Sequence, residues 1–149
     1  MNRYQKTVLI KFVIITVVTV IAVATMVQFK NWVSHSEAMR AMEHLGRIVF
    51  KYRKDNGSVP PQSYVDSIKG NLEGSVRLGG LTYRGRWIGF DSTGDEILAY
   101  SERSGGSLLF GAGFIVLRLD GRVEWMDKEK FKALLTKQQS PMEIGMMQK

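Results

Sequence analysis

The sequence predicts an α+β protein: a long amino-terminal membrane-spanning helix, then a small antiparallel sheet head closed by a short carboxy-terminal helix. Three observations carry that expectation. A membrane-length apolar run, Phe12 to Val27, lies near the start. A second helical pattern follows it directly, with no loop between. Thirteen of the fifteen glycines then fall between Gly57 and Gly121, which marks that stretch as turns and strands.

The helix is the first element. Beyond the apolar run, Phe29, Trp32 and Val33, Ser36, Met39, Met42, Leu45 and Gly46, Val49 and Tyr52 recur at three- and four-residue steps, one face of a helix. From Thr7 to Asp55 there is no proline, and Gly46 is the one glycine. A single helix of roughly 70 Å is therefore expected. Its first ~30 Å would cross a bilayer, and the rest would stand in water with one side covered. Asn56-Gly57 supplies a left-handed stop, and Pro60-Pro61 prevents resumption. The expected division is 1–29 for a cytoplasmic stub and transmembrane anchor, continuous with the helix to about 55, then 30–138 for the head including the soluble helix. The Met-rich end, 139–149, contains Pro141 and is expected to be disordered.

Two readings of the apolar run stand side by side. Ala22-Val23-Ala24 has the small-x-small form of a signal-peptidase site, so the run could be cleaved. Thr25-Met26-Val27 extends it and the helical face continues through Phe29 and Trp32, which favours a retained anchor.

Four of the net +7 charges sit in the first thirty residues, on Arg3, Lys6, Lys11 and Lys30, with no acid among them. Arg3, Lys6 and Lys11 precede the span, whereas only Lys30 follows it closely and Glu37 soon dilutes it; that bias places the amino terminus in the cytoplasm and the head outside, in a single pass. It is not a stripe of the nucleic-acid kind, so no nucleic-acid partner is expected. The absence of cysteine removes thiol catalysis and thiolate metal sites. His35 and His44 are nine residues apart, close to 900° of helix, and so project from opposite faces and cannot share a metal.

In the head, Gln62 to Lys69 reads as a short helix ended by Gly70. Leu81-Thr82-Tyr83 and Arg86 to Phe90 read as two strands around Arg84-Gly85, and Ile97 to Glu102 as another. Gly113 to Leu119 is apolar on both faces, as a central strand must be. Asp120-Gly121 has the residues of a tight hairpin turn with positive φ, and Arg122 to Met126 returns. Asp127 is the expected N-cap of a last helix to about Lys137, burying Phe131, Leu134 and Leu135. Arg77, Arg84 and Arg86 form a basic group with no carboxylate near in sequence: a solvated strand edge protected by charge, or a surface for an anionic partner.

Three stretches give the chain a family likeness. Tyr52-Arg53-Lys54-Asp55-Asn56-Gly57-Ser58-Val59-Pro60 resembles the exit from the long helix in major pseudopilins. Ile97-Leu98-Ala99-Tyr100, with Val116-Leu117-x-x-Asp120-Gly121-x-Val123-Glu124-Trp125 and Lys128 to Leu135 after it, resembles the carboxy-terminal block of a large pilin-like family. Leu9-Ile10-Lys11-Phe12 sits where such proteins have Leu-Ile-Glu-Leu. The likeness to type IV pilins and type II secretion pseudopilins covers about half the chain. Its departures are specific: Lys11 reverses the charge of the family's glutamate, Lys6 stands at the processed glycine, and Phe110 occupies the place of the family's histidine.

The resemblance implies a pilin-like fold and a membrane-anchored structural subunit in the bacterial cytoplasmic membrane. Its partners would be the lipid bilayer and other pilin-like or envelope proteins, in a secretion or envelope assembly. The alternative is a periplasmic binding module, anchored or released, that joins no filament. Phe29, Trp32 and Val33 are the expected partner contacts; Trp32 could equally anchor at the membrane interface. Some pseudopilins hold calcium in an acidic loop, which here implies Asp91, Asp95 and Glu96; the same residues are also ordinary turn chemistry. No hydrolase elbow, phosphate loop, zinc-protease helix or dinucleotide fingerprint is present, and Glu124 has no acid–base mate in sequence. No enzymatic activity is expected.

Overall fold

The computed structural model describes residues 3–89, 91–103 and 111–147. Helix α1 runs unbroken from Arg3 to Asn56, about 80 Å at 1.5 Å per residue. Residues 3–27 are exposed all round, and the first fully covered side chain is Ala38. By length and composition α1 can cross a membrane. Its apolar half carries hydroxyls that hydrocarbon would not solvate, and each is satisfied within the helix. Thr16, Thr19 and Thr25 donate to the carbonyls of Phe12, Ile15 and Ile21 at 2.8–2.9 Å.

The lower half of α1 buries Ala38, Ala41, Met42, Leu45, Gly46 and Val49. Small residues on this stripe set how near the head can come. A Cβ at Gly46 would stand 3.1 Å from Leu117 Cδ1. At Gly57, φ is +75° and its N–H donates to the Arg53 carbonyl at 2.8 Å, closing the helix as a left-handed stop.

Helix α2 (Gln62–Lys69) buries Val65 and sets Tyr64 against Tyr52, ring centroids 4.9 Å apart. Gly70 ends it in ordinary right-handed geometry, φ −68°. Beyond it the short helix α3 (Ser75–Leu78), which no sequence pattern announced, lies against α1. A Cβ on Gly74 would stand 2.8 Å from the Glu37 carbonyl oxygen, so only glycine permits that approach.

Four strands follow as a simple meander: β1 (Leu81–Tyr83), β2 (Ile97–Arg103), β3 (Gly113–Arg118) and β4 (Val123–Asp127), each antiparallel to the next. Helix α4 (Lys128–Gln138) starts where Asp127 Oδ1 accepts the Lys130 N–H at 2.9 Å. The sheet has two covered faces. Toward α1 lie Tyr83, Leu98, Ala99, Ile115 and Leu117; toward α4 lie Ile97, Phe114, Val116 and Met126, which pack on Phe131 of that helix. The register shift between Ile97 and Ala99 lets consecutive Leu98 and Ala99 both serve the α1 side. Phe131 stacks on Phe114 at 3.8 Å and meets Tyr100 at 4.8 Å.

Two expectations are corrected. Arg86 to Phe90 is no strand: Gly85–Trp87 is one 3₁₀ turn, and Phe90 lies outside the described residues. The Arg84 N–H donates to the Leu98 carbonyl at 2.7 Å, so this segment continues toward β2 rather than turning back on itself. The tail is not frayed either. Pro141–Met147 forms helix α5, with Ser140 Oγ accepting the Glu143 N–H at 3.2 Å.

The Asp120-Gly121 turn is present with one refinement. Only Gly121 has positive φ, +93°, and the Gly121 N–H donates to the Arg118 carbonyl while Arg118 N–H donates to Arg122. This is the three-residue loop ending in a left-handed glycine. A Cβ there would also stand 2.8 Å from the Phe50 ring. Gly145 has open space and ordinary φ. Gly121→Val should therefore cost at least ~2 kcal/mol, and Gly145→Val far less. Thermal unfolding of the full chain in detergent, followed by near-ultraviolet circular dichroism, checks this; equal melts would contradict the assigned turn.

Candidate functional site

Beyond the apolar run, α1 passes through a stretch that the head leaves open. Phe29 is 65% exposed and Trp32 53%, while Val33 is half-buried. The Phe29 and Trp32 rings lie 6.1 Å apart and form one aromatic step on the helix. A turn lower the head takes hold of α1. Arg103 Nη2 donates to Ser34 Oγ at 2.8 Å, and Arg77 Nε donates to Glu37 Oε2 at 3.0 Å. Arg103 also donates to the Arg77 carbonyl. Burial and then the Arg103 charge push His35 below its ordinary value; burial and then Arg77 lower Arg103. The upper rim of the head is thus a cation-rich collar around residues 34–37 of α1.

The acidic loop is used differently from a metal site. Asp95 Oδ1 accepts from Arg122 and lies 3.9 Å from Arg118. Arg118 Nη1 donates to the Asp95 carbonyl at 2.7 Å, and Arg122 Nε donates to Asp120 Oδ2 at 2.5 Å. The Arg122 N–H, then its guanidinium, hold the Asp120 carboxyl below its usual range. Glu96 contributes backbone: its carbonyl accepts the Leu119 N–H at 2.8 Å. Asp91 lies in a separate turn, where the Gly89 N–H donates to Ser92 Oγ at 3.0 Å. Among the described residues no three metal-ligating side chains come together, and Asp91, Asp95 and Glu96 are not gathered around one point. The loop fastens the β3–β4 hairpin to the start of β2. Glu124, without a mate in sequence, pairs with Arg118.

The basic group Arg77, Arg84 and Arg86 is not one solvated edge. Arg77 meets Glu37, Arg86 lies 5.6 Å over the Trp87 ring, and Arg84 is only 1% exposed. The Arg84 guanidinium forms a two-pronged pair with Glu143, also 1% exposed, through Nε–Oε1 at 2.6 Å and Nη2–Oε2 at 2.8 Å. Its remaining donors reach the Ile97 carbonyl at 2.8 Å and the Gln138 carbonyl at 3.2 Å. Gln138 Oε1 in turn accepts the Ile97 N–H at 2.9 Å. Four segments of chain therefore meet at one guanidinium: the end of β1, the start of β2, the end of α4 and α5. Sequence offered one faint sign, a lone acid at Glu143 flanked by Met142 and Ile144.

Removing one partner of such a pair strands the other charge away from water. Arg84→Met or Glu143→Leu should each cost about 3–5 kcal/mol. The double variant Arg84→Met with Glu143→Leu should recover part of this, leaving the cost of the unsatisfied Ile97 and Gln138 carbonyls, about 1–3 kcal/mol each. A double-mutant cycle on denaturant unfolding measures it; strictly additive single effects would mean the pair is not coupled.

The chain matches no protein-family model, no curated protein and no solved structure.

Proposed function

We propose that the chain is a membrane-anchored, pseudopilin-like structural subunit of a bacterial cytoplasmic membrane, with its amino terminus in the cytoplasm and its head outside, working by contact with other envelope proteins. One observation carries the reading. A single helix is bare through residues 3–27 and apolar from Phe12, then bare and aromatic at Phe29 and Trp32, and is fully covered by its own head only from Ala38. A folded chain that leaves large aromatics open beside a membrane span is suited to lateral packing, where such side chains dominate contact energies. The proposal gives the chain no reaction of its own.

A second reading, the anchored or released binding module, is favoured by Lys11. The run from Phe12 to Val27 covers ~24 Å, short of a ~30 Å hydrocarbon layer. Filling that layer from the amino-terminal side draws Lys11 inside. There the amine must lift to the headgroups or find an acid on a neighbour, which restricts the assemblies the span can join.

Two measurements bear on these readings. In spheroplasts, added protease should digest the head while the membrane shields the first residues; a head resistant until detergent is added would reverse the orientation or place it inside. Trp32→Cys, in a chain with no other cysteine, should crosslink in membranes to another envelope protein or to itself. If only uncrosslinked monomer appears with envelope partners expressed, the subunit reading gives way to the binding module.

A further inference from the structure

The most exposed large apolar side chain on the described surface is not in the span. Val76 is 90% exposed, against 78% for Met26, although it sits on α3 in the folded head, beside a Leu78 that is 1% exposed. Its neighbours make the position informative. Arg77 follows it, Arg103 donates to the Arg77 carbonyl, and both arginines are tied to α1 at Glu37 and Ser34. This rim faces the apolar half of the helix, with Lys30 and Trp32 standing between.

We infer that the rim of Val76, Arg77 and Arg103, with Lys30 and Trp32 of α1, seats on the anionic headgroup layer of the bilayer that α1 crosses. The inference rests on the anchored reading above. Ser34 and Glu37, the two points where the rim is tied to α1, are seven and ten residues beyond Val27, about 10 and 15 Å along the helix. The headgroup zone occupies roughly 5–8 Å on each side of the hydrocarbon. The space left above the rim is narrower than a helix with its side chains, about 10–12 Å across. No second folded element fits between the rim and the bilayer, and lipid headgroups do.

The chemistry agrees with the geometry. Lys30, Arg40, Arg77 and Arg103 outnumber Glu37 and Glu73 around the rim, so the collar carries net positive charge toward the outer leaflet, and anionic lipid there would attract it. Val76, level with Glu37 and Arg40 of α1, gives the rim an exposed apolar point, and Trp32, nearer the span, is the residue type that prefers headgroup depth. Arg77 and Arg103 crowd each other, and an anion placed beside them offsets the repulsion.

The test uses the full chain, one copy per nanodisc, with a fluorophore on Val76→Cys or, at the far end of the head, on exposed Ser58→Cys. In discs of phosphatidylcholine mixed with phosphatidylglycerol, acrylamide should quench the label at 76 several-fold less than the label at 58. The protection should fall in pure phosphatidylcholine and in high salt, which screens the attraction without altering the chain. Arg77→Lys with Arg103→Lys should keep it, and the glutamine pair should lose it. Equal quenching at both positions overturns the inference, as does protection indifferent to lipid charge and salt. Protection that needs two copies per disc overturns it in favour of self-association. A chain that never enters the discs defeats the anchored reading itself, a different result from an inserted chain whose rim stays in water.

Discussion

One helix is bare along its first half and covered along its second, and the rest of the molecule follows from where it changes from one to the other. Up to Val27, α1 is uncovered, and from Phe12 it is apolar on every side. From Ala38 it is apolar on one side only, and that side must be covered or it would draw the chain into association. The cover is a four-stranded meander whose β3 is buried on both faces. A strand of that kind cannot face water after packing on α1, so a second layer is required, and α4 supplies it with Phe131. Gly46 beneath Leu117, and Gly74 against Glu37, are the points where the first layer comes close enough to work.

The buried Arg84–Glu143 pair closes this arrangement at the end far along the sequence. A guanidinium taken out of water is tolerable only when its donors are met, and here Glu143, Ile97 and Gln138 meet them. The pair makes α5 a necessary part of the head rather than an appendage. Without Glu143 the charge under β2 would have no counterion. An apolar pair of similar size would recover part of that hold while leaving the Ile97 and Gln138 carbonyls without their donor. What the charges add is direction, since a two-pronged carboxylate contact admits one placement of α5.

Much of this was legible because the signals were local. The helix to Asn56, the stop at Gly57, the strands at Leu81, Ile97 and Gly113, the left-handed Gly121 and the Asp127 cap each depend on neighbours within a few residues. What failed depended on distant partners. Arg86 to Phe90 looked like a strand because alternation cannot show that Arg84 is drawn inward by an acid 59 residues away. The same pair orders a tail that composition alone marks as loose. Asp95 read either as an oxygen ligand or as turn chemistry, because its pairing with Arg118 and Arg122, across the hairpin, leaves no trace near it in sequence. On α1 the apolar repeat located Met42, Leu45 and Val49 but passed over Ala38 and Ala41, whose value lies in being small.

The charged side of α1 limits the company the helix can keep. Below the aromatic step, the exposed positions opposite the sheet are Arg40, Glu43, Arg47, Lys51 and Lys54, four cations to one acid at helical spacing. Two copies brought together along that side would set like charges against each other over several turns, which is costly even where solvent screens it. Along α1, the exposed large apolar side chains lie above, in the apolar run and the Phe29–Trp32 step. A neighbour packing along the whole of α1 therefore has to change character as α1 does: apolar at the aromatic step, then acidic below it. A partner of different sequence meets that demand more readily than a second copy.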